Sequence, residues 1–244
     1  MIGRIWAIAV NTSREAVRNK LLYTLMFFAL AMMLFGVVLS TLSYVERERM
    51  VQDFAFASMR LFSVAIAIFV GVGLIHKEVD RRTVYTILSK PLSRAEFLFG
   101  KYLGLLLIIW LQVAIMALFF AGVSLLMGAP LGFTHLAALA LTGVELALVV
   151  ALATLFSSFT TPLLASFYSC GIWIAGHLTR DLRDLGANSS SAFVRETTTW
   201  MHRILPDLES FNLSIQAAHQ LPVAASDIWF PVLYGAGYVA IILV

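Results

Sequence analysis

Thiol chemistry is nearly missing from this 244-residue sequence. Cys170 is its one cysteine, which rules out an intrachain disulfide and a cysteine metal cluster. Charge is scarce too. Asp, Glu, Lys and Arg make up 13% of the residues, against about 25% in a soluble domain. The phosphate loop G-x-x-x-x-G-K-[ST] is absent. Its nearest approach is Gly100-Lys101, where Ala95 fills the first glycine position and Tyr102 follows the lysine. Nor is there an H-E-x-x-H helix; His135, His177, His202 and His219 are scattered. No internal repeat points to an inverted-repeat carrier. A cleavable signal peptide is not expected, because residues 1–20 lack its apolar core and the run from Leu21 is long enough to span.

What is present is apolar residue in blocks. Hydrophobic types reach 60%, and a crossing needs about 20 of them in a row. The pattern predicts an all-α polytopic membrane protein with six transmembrane helices at 21–42, 54–75, 102–127, 134–156, 163–178 and 229–244. The last holds 16 residues with no cationic stop, so it reads as incomplete and the chain is expected to continue past Val244. Residues 1–20 read as an amphipathic helix lying in the membrane surface. Ile2, Ile5, Trp6, Ala9, Val10, Ala16 and Val17 form one face, and Arg4, Asn11, Arg14, Glu15 and Arg18 the other. Small residues should mediate packing, with Gly100 and Gly104 at GxxxG spacing.

The net charge of +3 is not a nucleic-acid signal, because the cations sit at span ends and suit lipid headgroups. They concentrate in 77–101, where Lys77, Arg81, Arg82, Lys90, Arg94 and Lys101 crowd one polar island. The positive-inside bias puts that island, and with it the N-terminus, on the cytoplasmic side. The mixed-charge segment 46–53, read as a short loop, and the segment 179–227 lack a cation excess and are expected outside, with short amphipathic helices over 193–205 and 208–221 separated by Pro206. The island has internal pattern. Val84, Ile87 and Leu88 share one helical face, Pro91 stops that helix, and Ser93 with Glu96 forms a capping box for the next.

Lys77, Glu78, Thr83, Leu88, Lys90, Pro91, Ser93, Arg94, Gly100, Lys101 and Gly104 together resemble the signature loop of ABC-2-type permeases, the transmembrane subunits of type-2 ABC exporters. Arg82 departs from it, standing where family members often carry Gly. The likeness extends over nearly the whole chain. It implies two membrane halves, this permease with a second copy or a related one, and two ABC ATP-binding subunits below. The chain would bind no cofactor of its own; ATP and Mg belong to the partner subunit. A periplasmic accessory protein fits the same picture, and a bacterial inner membrane is the implied location. The resemblance assigns the coupling helix that docks on an ATPase to Thr83, Val84, Tyr85, Ile87 and Leu88, ended by Pro91, with Glu78 and Arg94 as contacts or braces. Residues 1–20 would be the connecting helix.

Glu145 is the one acid deep in a span. Intramembrane ionisable groups are costly and mark function. Gln112 falls at a comparable depth in the preceding span, within reach of a hydrogen bond. Structural glue, lining of a translocation path and a proton relay all stay open for Glu145. Arg60 reads as an interfacial anchor that snorkels to the headgroups, and His177 as interfacial. The alternatives to an exporter subunit are an ion-gradient-driven secondary transporter, an intramembrane enzyme and a non-transporting membrane anchor of a complex.

Overall fold

The computed structural model describes residues 2–42, 46–80, 93–189 and 191–243. In chain order they form α1 (Ile2–Val17), α2 (Lys20–Ser40), α3 (Arg47–Asp80), α4 (Arg94–Leu126), α5 (Phe133–Phe159), α6 (Pro162–His177), α7 (Thr179–Ala187), α8 (Ala192–Ile204), a 3-10 turn (Glu209–Phe211), α9 (Ser214–Ala218) and α10 (Ser226–Leu243). Five helices are long and apolar enough to cross a membrane: Lys20–Ser40, Arg47–His76, Ala95–Leu126, Phe133–Phe159 and Ser226–Leu243.

Local chemistry sets the ends. Asn19 caps α2, its side chain accepting from the Leu21 amide at 3.0 Å. The expected capping box opens α4: Ser93 Oγ accepts from the Glu96 amide at 3.1 Å, and Glu96 Oε2 from the Ser93 amide at 3.0 Å. The turn into α5 uses Gly128 at φ +74°, a conformation open to glycine without strain. Pro162 starts α6 at a position where its missing N–H costs nothing.

Three expectations change. The mixed-charge segment 46–53 is not a loop, since α3 is helical from Arg47. Residues 208–221 do not form one helix but a 3-10 turn and the five-residue α9. The fifth expected span, 163–178, is a helix of 16 residues, about 24 Å at 1.5 Å per residue, short of the roughly 30 Å hydrocarbon core. Residues 205–218 cover its end. The Leu208 amide donates to the Gly176 carbonyl at 3.1 Å, and Leu208, Phe211 and Ala217 are fully buried. Gly176 permits this approach; a Cβ there would meet Leu208 Cγ at 2.7 Å.

α5 is central, packed against α3, α4, α6 and α10. Tyr102 Oη and Trp110 Nε1 of α4 donate to the α5 carbonyls of Ala147 and Gly143, at 3.2 and 3.0 Å. The apolar core falls into two clusters. One holds Ile66, Leu105, Val149 and Ala165 near the end that carries α1; the other holds Met59, Phe120, Leu141, Leu208 and Phe211. α1 packs along α4 through Gly100 and Gly104, where a Cβ would meet Ile8 at 2.8 Å and Thr12 at 2.6 Å. Ser13 Oγ donates to the Gly104 carbonyl at 2.9 Å. Lys101, read as part of the polar island, lies buried beneath α1 with Nζ 3.9 Å from Glu15. Trp6 stays exposed. Thus α1 buries its Ala9, Thr12, Ala16 stripe in protein and turns Trp6 outward.

Candidate functional site

Between the two apolar clusters lies a polar layer. α3 brings Arg60 and Ser63, α4 brings Gln112 and Met116, α5 brings Glu145, and α6 brings Trp173 and His177. The depths agree because α3 and α5 run the same way while α6 returns along α5. His177 is the last residue of α6, and it meets Glu145 partway along α5.

Glu145 is fully buried. Its Oε1 accepts from Trp173 Nε1 at 2.8 Å and stands 2.9 Å from His177 Nε2. Arg60 Nε lies 3.3 Å from Oε2. That pair is ionic rather than a formed hydrogen bond, since Oε2 has no aligned donor. The chain continues outward: His177 Nδ1 is 2.9 Å from Glu209 Oε2, and Asn212 Nδ2 donates to Glu209 Oε1 at 2.8 Å. Burial raises the Glu209 carboxyl, but the hydrogen bonds from His177 and Asn212 outweigh it and hold the group below its ordinary value.

Hydrogen-bond inventory constrains the protons. A neutral imidazole donates from one nitrogen only, and an ionised carboxylate only accepts. His177 has a carboxylate oxygen on each side. Both bonds form only if the Glu145–His177–Glu209 trio holds one proton more than a neutral imidazole and two carboxylates supply. An imidazolium between two anions gives both bridging oxygens a donor, and Arg60 beyond balances the remaining negative charge, so a charge that would be costly alone is compensated in place.

Beside this chain opens a cavity of about 390 Å³, lined by Asp53, Phe56, Arg60, Thr142, Trp173 and Asn212 among others. Its wall offers a guanidinium, a carboxylate, an indole and amide or hydroxyl groups on an apolar frame, a surface suited to an amphiphile. Glu145 and Gln112, the two residues expected to line a path, do not line this cavity. Glu145 instead holds Arg60 and Trp173, which do.

The expected Glu145–Gln112 hydrogen bond is absent. Gln112 Nε2 donates to Met116 Sδ at 3.5 Å, as Ser63 Oγ does at 3.6 Å. Arg60 is not a free snorkelling anchor but the counter-ion of Glu145, and His177 bridges Glu145 and Glu209. Glu209 and Asn212 were not anticipated, because 208–221 reads as a surface amphipathic helix, where polar side chains raise no question. Arg60, Glu145 and His177 were findable together, each being an ionisable residue inside an apolar run. Among the described residues no group of three His, Cys, Asp or Glu is placed to hold a metal ion.

The residues assigned to ATPase coupling fall differently. Thr83, Val84, Tyr85, Ile87, Leu88 and Pro91 lie outside the described residues. Glu78 sits in the last turn of α3 and Arg94 is the first residue of α4, so the two helices flank the segment between them; neither side chain is among those described. A family model described as ABC-2 family transporter protein matches residues 37–244. No curated protein matches the chain.

Proposed function

The chain belongs to the ABC-2 transporter family, and from that premise we propose that it is the membrane half of an ATP-driven exporter in a bacterial inner membrane. Membership makes it a permease of an ABC transporter, a membrane transport subunit with an ATP-binding partner. The finer reading is ours. Two copies, or this chain and a related one, enclose the path. The end carrying α1 faces the cytoplasm, where the cations of 77–101 are drawn. Six crossings are made by α2, α3, α4, α5, α6 and α10, and residues 205–218 cover the outer end of α6. Residues 83–89 dock on the ATPase, and closure of that partner on ATP favours one arrangement of α3 and α4 over another.

The observation carrying this reading is the family match over 37–244 together with five helices of spanning length and apolarity. The buried charged chain fits beneath it as a positioning device, with Glu145 fixing Arg60 and Trp173 at the cavity wall. A co-purification experiment tests the proposal. The chain is expressed together with its ATP-binding partner subunit. Stable co-elution is expected, and loss of the complex on Ile87→Asp and Leu88→Asp. A complex unaffected by both substitutions rules out docking through this segment.

A further inference from the structure

We propose that the crook between α1 and α2 is a binding site for one anionic phospholipid. Arg14, Arg18 and Lys20 hold the phosphate, and an acyl chain lies along Leu21, Phe69 and Gly73. The inference is separate from the export reading and concerns a surface that the polar layer does not touch.

The crook exists because α1 ends at Val17 and α2 begins at Lys20, with Asn19 capping the new helix. Packing of α1 on α4 fixes the angle of that elbow. The groove beneath it has a volume of about 920 Å³ and runs from the α1 rim to Phe69, Gly73 and Leu74 of α3. Arg14, Arg18 and Lys20 stand exposed along the rim. Among the described residues none of the three has an ion-pair partner. Glu15 also lines the groove, but Lys101 stands 3.9 Å from its carboxylate. Three cations against that single acid leave the rim positive.

The floor is apolar and uncovered. Leu21 and Phe69 are each 52% exposed, on helices that otherwise pack against each other. A Cβ built on Gly73 would meet nothing within 4 Å, so the groove stays open along α3. The same two guanidiniums, Arg14 and Arg18, also head a second apolar groove on the other flank of α1, lined by Trp6, Val10, Leu107 and Leu111. Cations at the head of an apolar bed match a phosphate joined to acyl chains.

Depth separates a lipid from a protein as occupant. Phe69 precedes His76, the end of the apolar stretch of α3, by seven residues, about 10 Å along the helix. A water-soluble partner would have to enter hydrocarbon to reach it, whereas an acyl chain is already there. A basic, Trp-bearing surface helix is attracted to anionic leaflets in general; this groove adds a shaped bed for one molecule.

The test uses the full chain purified in detergent, titrated with dioleoyl-phosphatidylglycerol or dioleoyl-phosphatidylcholine and read by native mass spectrometry. We expect retention of phosphatidylglycerol about tenfold tighter than of phosphatidylcholine, given the weight of basic residues at an anionic surface. Arg14→Gln/Arg18→Gln/Lys20→Gln abolishes the preference. Lys20→Gln alone lowers it, which keeps the test open should the triple variant not fold. Gly73→Leu fills the bed and weakens phosphatidylglycerol retention with all three cations in place. Inorganic phosphate leaves the bound lipid undisturbed. Equal retention of the two lipids overturns the proposal, as does a preference that survives the triple substitution. Release by inorganic phosphate would mean a free-anion site, and one-for-one displacement by the ATP-binding subunit a protein-docking surface; either refutes the assignment.

Discussion

Neutralising the buried acid of the polar layer should unbalance three groups at once. Glu145→Gln keeps the side chain's shape and one acceptor oxygen, but removes the charge that Arg60 and His177 face. At 3.3 Å, an effective dielectric of about 20 gives the Arg60–Glu145 attraction a ceiling of about 5 kcal/mol. Desolvation takes back part of that, and removing one partner of a buried pair costs about 3–5 kcal/mol because the other is left uncompensated. Arg60 is partly open to the cavity, so the lower end of that range is expected. Arg60→Met alone should cost a similar amount by stranding Glu145. The double variant Arg60→Met/Glu145→Gln should cost less than the two singles summed. The assay is a double-mutant cycle on unfolding free energy in mixed detergent micelles. Paired neighbours show coupling of about 0.5–3 kcal/mol, and a value above 1 kcal/mol is expected here. Additivity within about 0.5 kcal/mol would refute the reasoning that Glu145 is held chiefly by its charge.

Two further predictions follow from the geometry. Gly104→Leu forces a side chain into space where even a Cβ meets the Ala9 carbonyl oxygen at 2.5 Å. It should cost about 1–3 kcal/mol and free α1 from α4, seen as faster proteolysis within residues 2–17; an unchanged cleavage rate would refute that packing. The Glu209 carboxyl, held below its ordinary value of 4.5 by His177 and Asn212, contributes stability that is fully present above that value and lost as the pH falls through the folded-state value. Glu209→Gln should therefore lower stability near neutral pH and converge with the parent chain in acid. Parallel curves throughout the acid titration would count against the Glu209–His177 bond.

Much of the frame was legible in one dimension because a bilayer is a simple solvent. The capping box at Ser93 and Glu96 and the turns at Gly128 and Pro162 are fixed by residues within one helical turn of the feature, and each apolar run of crossing length by one unbroken stretch of sequence. Reading Arg60 as a snorkelling anchor failed because its position near a span end says nothing about which neighbour it faces. The hydrogen bond expected between Glu145 and Gln112 failed for a related reason. Equal depth in adjacent spans leaves helix rotation free, and Gln112 bonds instead to Met116, one turn along its own helix. Lys101 looked like an exposed island cation until α1, the sixteen-residue helix at the start of the described chain, lay down across Gly100 and Gly104.

The sequence by itself determined that this is an all-helical membrane chain, where its long apolar helices run, and the likeness of its polar loop to a permease family. Those properties depend on composition and on spacing within a helix. Tertiary structure alone decided that Arg60, Glu145, Trp173, His177, Glu209 and Asn212 form one connected chain, and that residues 205–218 cap the shortened α6. Such contacts depend on the rotation, crossing angle and depth of separate helices, which are set by packing across the whole bundle and leave no periodic mark on any one segment.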